Sequence, residues 1–280
     1  MINDIYTTKE INGKVYTSKL ACEIYNDHFE NAKHYNIPHA QLIIADIPYN
    51  LGKNAYASNR NWYECGDNKN GKSKKAGKSF FKTDENFRIG NFFDFCTRYL
   101  KKEPKEPNKA PAMIVFCAFE QMAMVAEEGK KHGLMHSYPL IFIKKSSAQV
   151  LKANMKILNA CEYAIVLYRD KLPKFINNGK MILNWFEWEK DSTPTIHPTQ
   201  KPIPVLKRLI EIFTEEGDTV IDPVAGSGSS LIAARQLKRK SYGFEIEKPF
   251  YEKAYSLING LEDEKEKSLK QTSILDFMEE

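Results

Sequence analysis

The sequence predicts a mostly parallel α/β sheet clothed by helices on both faces, and three observations point there. Short, nearly uninterrupted apolar runs recur along the chain, as expected of strands buried on both faces. Amphipathic stretches long enough for helices separate them, the alternation that builds parallel sheets. Size and composition agree: 280 residues, 42% hydrophobic and 28% charged, suit one large domain with insertions and a substantial core.

In chain order the strand candidates are Leu42–Ala45, Met113–Cys117, Pro139–Ile143, Tyr163–Tyr168, Thr219–Ile221 and Tyr242–Glu245. The helix candidates are Ser18–Tyr35, Phe87–Lys101, Phe119–Lys131, Ile203–Glu215, Ser229–Leu237 and Pro249–Ile258. In the fourth helix Val205, Leu206, Leu209, Ile210 and Phe213 recur at helical spacing, behind a Pro202 that favours a helix start. No internal repeat is visible. From Leu261 the tail is charged until the short apolar peptide Ser273–Met278.

Several classes drop out. Five cysteines (Cys22, Cys65, Cys96, Cys117, Cys161) are scattered, odd in number and form no C-x-x-C pair. That argues against a disulfide scaffold and a zinc site, predicts no metal, and fits a cytoplasmic location. The polar opening MINDIYTTKEINGK is no signal peptide. The most apolar stretch, Ala112 to Val125, is broken by Glu120 and Gln121 and is too short to span a bilayer, so no membrane is expected.

The formal charge is +5, and much of the excess sits between Asp67 and Lys82. There Lys69, Lys72, Lys74, Lys75, Lys78 and Lys82 stand among Gly, Ser and Asn, a composition that builds no core. Such a basic loop suits either a polyanion, whose phosphates release counterions on contact, or plain solvation.

Two segments carry chemistry. In Leu42-Ile43-Ile44-Ala45-Asp46-Ile47-Pro48-Tyr49-Asn50 a strand runs into an acid and a Pro. Ligands of open α/β sheets bind at strand carboxyl ends, and an acceptor carboxylate, a free carbonyl and a Tyr ring there suit a flat ligand with an amino group. In isolation the same string reads more readily as an Asp-initiated turn with a core Tyr. In Thr219-Val220-Ile221-Asp222-Pro223-Val224-Ala225-Gly226-Ser227-Gly228-Ser229 a strand ends in Asp-Pro, passes a Gly-x-Gly turn and enters a helix. Glycines permit close backbone approach, the helix start offers free N–H groups, and Glu245 ends the next strand where an acid can accept both hydroxyls of a ribose. No Gly-Lys-Ser/Thr follows, which excludes a phosphate loop. Upstream, His197-Pro198-Thr199-Gln200-Lys201-Pro202 admits a structural His and a solvated Lys.

Together the segments resemble the S-adenosylmethionine-dependent DNA amino-methyltransferases. Asp46-Ile47-Pro48-Tyr49 is similar to their catalytic Asp-Pro-Pro-Tyr motif, with Ile47 in place of the first Pro. Asp222-Pro223-Val224-Ala225-Gly226-Ser227-Gly228-Ser229 resembles their cofactor motif, and His197–Pro202 the segment preceding it. The catalytic motif comes first, as in the permuted β group. The resemblance implies a Rossmann-like methyltransferase sheet with an inserted DNA-recognition region, S-adenosylmethionine as cofactor and double-stranded DNA as partner. It implies that Asp46 and the Ile47 carbonyl hold the target amine while Tyr49 stacks on a base flipped from the duplex. Asp222, Pro223, Ala225, Gly226, Ser227, Gly228 and Ser229 would line the methionine part of the cofactor and Glu245 its ribose. His197, Thr199 and Lys201 would close over its carboxylate. An Asp opening the catalytic motif resembles adenine-N6 enzymes more than cytosine-N4 enzymes, which leaves the latter as the alternative within the class. A non-catalytic nucleotide- or DNA-binding module is the alternative outside it. The Gly-Asp pair that contacts cofactor adenine in the family has Val15–Lys19 as its counterpart here, leaving Ser18 or backbone groups for that task.

By residue type the DNA contacts are Lys72, Lys74, Lys75 and Lys78 with Asn59 and Arg60, together with Lys145 and Lys152. The expected organisation is a catalytic domain over 1–260, containing a basic insertion at 52–110 and a recognition region at 144–196, and a tail over 261–280. A homodimer follows from the resemblance only. Gln271–Met278 resembles short sliding-clamp-binding peptides, an anchoring Gln followed by aliphatic and aromatic residues, or else packs on its own domain.

Overall fold

The computed structural model describes residues 6–11, 14–49, 87–145, 147, 150–152, 156–189, 191, 193, 195–197 and 200–260. Its centre is an eight-stranded sheet. In chain order the strands are β3 (Cys22–Tyr25), β4 (Leu42–Asp46), β5 (Ala112–Cys117), β6 (His136–Ile143), β9 (Cys161–Tyr168), β10 (Trp185–Glu187), β11 (Thr219–Asp222) and β12 (Lys240–Phe244). They lie in the order β10-β6-β9-β5-β4-β11-β12-β3. All pairings are parallel except those of β9, which runs antiparallel to both β5 and β6. Two hairpins stand apart, β1 (Tyr6–Ile11) with β2 (Lys14–Lys19) and β7 (Val150–Lys152) with β8 (Ile157–Leu158).

The period-2 geometry of strands divides the apolar side chains between two cores. Leu42 and Ile44 of β4 and Ala112, Ile114 and Phe116 of β5 face helices α3 (Ile203–Phe213), α4 (Ser229–Gln236) and α5 (Lys248–Asn259). Ile43 and Ala45, with Met113, Val115 and Cys117, face α1 (Ile89–Tyr99) and α2 (Met122–Lys131), where Phe92 and Phe93 are fully buried. Helix α2 meets the sheet through Gly129, where an added Cβ would lie 2.4 Å from Leu167 Cδ2. Helix α3 starts on Pro202, and its Ile203 N–H is capped from outside by Asp191 Oδ2 at 2.6 Å.

Every strand candidate read from the sequence lies in this sheet. The helix expected over Ser18–Tyr35 does not form. The segment instead completes β2, enters the sheet as edge strand β3 beside β12, and ends in a short 3₁₀ helix at Phe29–His34. The reason is local. Asp27 accepts the His28 N–H, the Asn31 amide and the Tyr35 hydroxyl, closing a turn where a helix would have had to continue. Short strands β10, β7 and β8, and the first hairpin, lacked an apolar run and went unread. Among the described residues no helix is long and apolar enough to cross a membrane, and no cluster of His, Cys, Asp and Glu could hold a metal.

Candidate active site

Strands β4 and β11 are neighbours, but the chain leaves β4 toward β5 on one side and β11 toward β12 on the other. This is a topological switch point, where open α/β sheets bind ligands beyond the strand ends. Asp46 closes β4 and Asp222 closes β11. Two acids far apart in the chain therefore end neighbouring strands; burial raises the Asp222 carboxyl, and Asp46 adds to the rise.

On the β4 side Asp46 is ion-paired. Lys201, in the approach to α3, places Nζ 2.5 Å from Asp46 Oδ2, and its side chain is only 9% exposed. The same ammonium stands 5.5 Å from the Tyr49 ring centre and 5.4 Å from that of Phe116. Asp46 Oδ1 is buried and has no hydrogen-bond partner. Burial pushes the Asp46 carboxyl up and the ammonium opposes it. The resemblance would set Lys201 over a cofactor carboxylate; here its ammonium lies on Asp46. Ile47, where the family motif carries Pro, buries its side chain in the second core and donates its N–H to Phe116 O at 3.2 Å, a bond Pro could not make. Pro48 O accepts from Gln121 Nε2 at 2.9 Å, and the Tyr49 hydroxyl donates to Glu162 Oε2 at 3.2 Å.

The β11 side holds its acids with neutral donors. Asp222 accepts the Val224 N–H at 3.1 Å and the Ser230 hydroxyl, and burial lifts its carboxyl to about 7. Pro223 then leads into a turn in which Gly226 and Gly228 adopt left-handed φ of 52° and 71°, conformations that favour glycine. The Ala225 N–H is tied to Phe244 O at 2.8 Å, and the buried hydroxyls of Ser227 and Ser229 meet at 2.8 Å. Just past β12, Glu245 accepts the Gly226 N–H at 2.9 Å and the Glu247 N–H at 2.7 Å, one on each carboxylate oxygen. Burial brings it to about 7 as well. His197 covers the turn: a Cβ on Gly226 would lie 3.5 Å from its Nε2, and its ring packs on Phe250 at 4.5 Å. Burial, then Lys201, lower His197 to about 4, so it is neutral at physiological pH. His197 and Lys201 thus touch one half of the rim each.

Thr199 lies outside the described residues, as do Asn59, Arg60, Lys72, Lys74, Lys75, Lys78 and the peptide Gln271–Met278. Lys145 is exposed and pairs with Glu187 at 3.1 Å, and Lys152 belongs to β7. Ser18 sits in β2, outside the main sheet, whereas the carboxyl end of β3 brings Asn26 beside Glu245, whose carbonyl it holds at 2.8 Å. Sequence reasoning missed Asn26 because a helix was expected there. It also missed Gln121, Lys144 and Glu162, although a Glu-Gln pair interrupting an apolar stretch and an acid heading a buried strand were available signals.

A family model described as DNA methylase matches residues 40–256. The chain belongs to the N6/N4 DNA methylase family. It is 43% identical over 70 residues to the type II methyltransferase M.BglII of Bacillus subtilis, covering 25% of this chain and 19% of that protein. It is 26% identical over 256 residues to the DNA adenine methyltransferase YhdJ of Escherichia coli, covering 80% and 77%. For the first of these the matched stretch is well under two thirds of the relative's length. Among solved structures, the M1.HpyAVI–SAM complex aligns with TM-score 0.61 at 19% identity, over 85% of this chain and 98% of that one. The cytosine-N4-specific PvuII DNA methyltransferase aligns with TM-score 0.55 at 13% identity, over 83% and 84%. At those identities the likeness concerns the Rossmann-like fold.

Proposed function

We propose that this family member transfers a methyl group from S-adenosylmethionine to the exocyclic N6 of adenine in double-stranded DNA. The single observation that carries the reading is Asp46 Oδ1, a buried acceptor without a partner at the end of β4, the strand paired with the β11 that leads into the glycine turn; the Lys201 ammonium on Asp46 also lies over the Tyr49 ring. A buried, unsatisfied carboxylate oxygen costs free energy unless a ligand supplies the donor. An exocyclic amine does so, and one N–H held by Oδ1 orients the nitrogen lone pair away from the acid. The Tyr49 ring supplies a face for an extruded base.

The residues of the other half fit the cofactor. Each Glu245 oxygen accepts one backbone N–H and keeps lone-pair capacity for one hydroxyl, which suits the adjacent hydroxyls of a ribose. Gly226 and Gly228 give the turn its left-handed backbone and let it pack against His197 and against Ile258 of α5. When bound, S-adenosylmethionine supplies an electrophilic methyl on a sulfonium; the protein's part is alignment, to which in-line displacement is most sensitive. No enzyme nucleophile is needed. Cys117, a buried thiol of β5, is pushed up to about 12 by burial and by Asp46, which leaves it inert.

Isotope-labelled methyl transfer to duplex DNA tests the reading. Asp46→Ala is expected to lower kcat by about a thousandfold or more while S-adenosylmethionine binding survives. A variant that still transfers at the wild-type rate, or a wild-type protein that modifies no DNA, defeats it. The likeness to the PvuII enzyme keeps cytosine N4 as the second reading, and duplexes containing only one of the two amino bases on each strand decide between them.

A further inference from the structure

Glu162 belongs to none of the motifs discussed, yet it reaches the site. It heads β9, and among the described strands of the main sheet β9 alone is reversed, so its amino end lies at the rim formed by the other strands' carboxyl ends. The side chain is 13% exposed and divides its carboxylate between two donors. Oε2 accepts the Tyr49 hydroxyl at 3.2 Å, and Oε1 accepts Lys144 Nζ at 2.5 Å. Lys144 is seated in turn, 5.1 Å from the centre of the Trp188 ring.

We propose that Glu162, anchored by Lys144, is a positioning residue that fixes the Tyr49 ring against which the target base stacks. The inference deepens the reading above and rests on it. Tyr49 is braced at both ends: the carbonyl preceding it is held by Gln121, and its hydroxyl by Glu162. A ring held only at its backbone can rotate about two side-chain bonds, whereas a ring pinned at its far end presents one face. Orientation paid for before the base arrives is orientation the reaction need not supply. Lys201 makes its ion pair with Asp46 and acts on Glu162 only through its field, so the contact partner of Glu162 is Lys144. The Lys144–Glu162 pair is also self-neutralising, so it can hold a buried acceptor for Tyr49 without leaving a net charge in the rim.

A double-mutant cycle reads this directly, on unmethylated genomic DNA with labelled S-adenosylmethionine. One variant, Lys144→Met with Glu162→Gln, removes both charges but keeps an acceptor for Tyr49. A second, Lys144→Met with Glu162→Leu, removes the acceptor too. Each is made with Tyr49 and with Tyr49→Phe. The acceptor-keeping pair is expected to stay within about threefold of wild-type kcat. The acceptor-less pair and Tyr49→Phe alone each lose about tenfold, with cofactor KM unchanged, and their combination loses little more than either. Losses that simply multiply, or Tyr49→Phe working at the wild-type rate, overturn the proposal. If the Leu variant does not fold, the Gln variant and Tyr49→Phe decide it alone. Wild-type transfer on the same DNA is measured first, so an uncoupled cycle counts against Glu162 and leaves the methyltransferase reading standing.

Discussion

The two halves of the rim hold their acids by opposite means. At the end of β4 and the start of β9, Asp46 and Glu162 are matched by ammonium groups, Lys201 and Lys144, at 2.5 Å each. At the ends of β11 and β12, Asp222 and Glu245 are held by backbone N–H groups and a serine hydroxyl. The consequence is electrostatic. The two lysines hold Glu162 below the ordinary carboxylate range despite its burial, whereas burial takes Asp222 and Glu245 to about 7. Asp46 itself is pushed up by burial and drawn back by Lys201, and the acid that must accept an amine gains from the ammonium at its side. A half that must accept hydroxyls needs only well-placed lone pairs, and partial protonation there costs it less.

Lys201 offers the largest break in that contrast. If the ammonium serves Asp46, Lys201→Met leaves the acid buried without its counterion, and its carboxyl rises further. The expected outcome is a fall in kcat of at least about tenfold at neutral pH, with the acid limb of the kcat profile displaced to higher pH. The KM for S-adenosylmethionine should change by less than about twofold. A large rise in that KM with an unmoved acid limb would assign Lys201 to the cofactor half, and the division drawn here would fail.

Smaller in effect, Gly243 tests whether the β11 half depends on packing. A Cβ there would lie 2.8 Å from Leu231 Cδ1, 3.0 Å from Ala225 Cβ and 3.2 Å from Asp222 O. Gly243→Ala must lift the 222–225 turn from β12, at a cost of about 1–3 kcal/mol. Denaturant unfolding should show the loss in the midpoint, and cofactor KM should rise while Asp46 and Lys201 stay in place. Unchanged stability would mean the turn yields freely.

What the sequence disclosed and what it withheld follow from the same physics. Strands such as Leu42–Asp46 and Ala112–Cys117 were legible because burial on both faces demands unbroken apolar runs, and the Asp46 that ends β4 and the Asp222 and Gly-x-Gly turn that end β11 mark the rim chemically. The direction of a strand leaves no trace in its hydropathy, so the reversal of β9 that delivers Glu162 was invisible. Partnership across the chain was equally hidden: nothing near Lys201 names Asp46, 155 residues away. Ser18–Tyr35 misled because an amphipathic count cannot see that Asp27 will absorb the donors of the next turn. The expected DNA contacts at 59–60 and 72–78 lie outside the described residues.

The weakest perturbation is the pH dependence of stability that Asp222 and Glu245 contribute. Asp222 and Glu245 have ordinary values of 3.8 and 4.5 and stand at about 7 when folded. The folded protein therefore binds more protons than the unfolded chain between those limits, and this contribution to stability is present at low pH and lost as pH rises toward 7. Between pH 8 and pH 6 each group should add about 1 kcal/mol, which for a protein of this size is a few degrees in Tm. His197 acts in the opposite sense, since its lowered value makes the folded state resist protonation below its ordinary 6.5. The two are separated by comparing wild type with Asp222→Asn, whose side-chain oxygen can still accept the Val224 N–H. The variant should lose part of the gain in Tm on going from pH 8 to pH 6, while the His197 contribution is common to both proteins. Identical pH slopes would show that Asp222 is already ionised in the folded state.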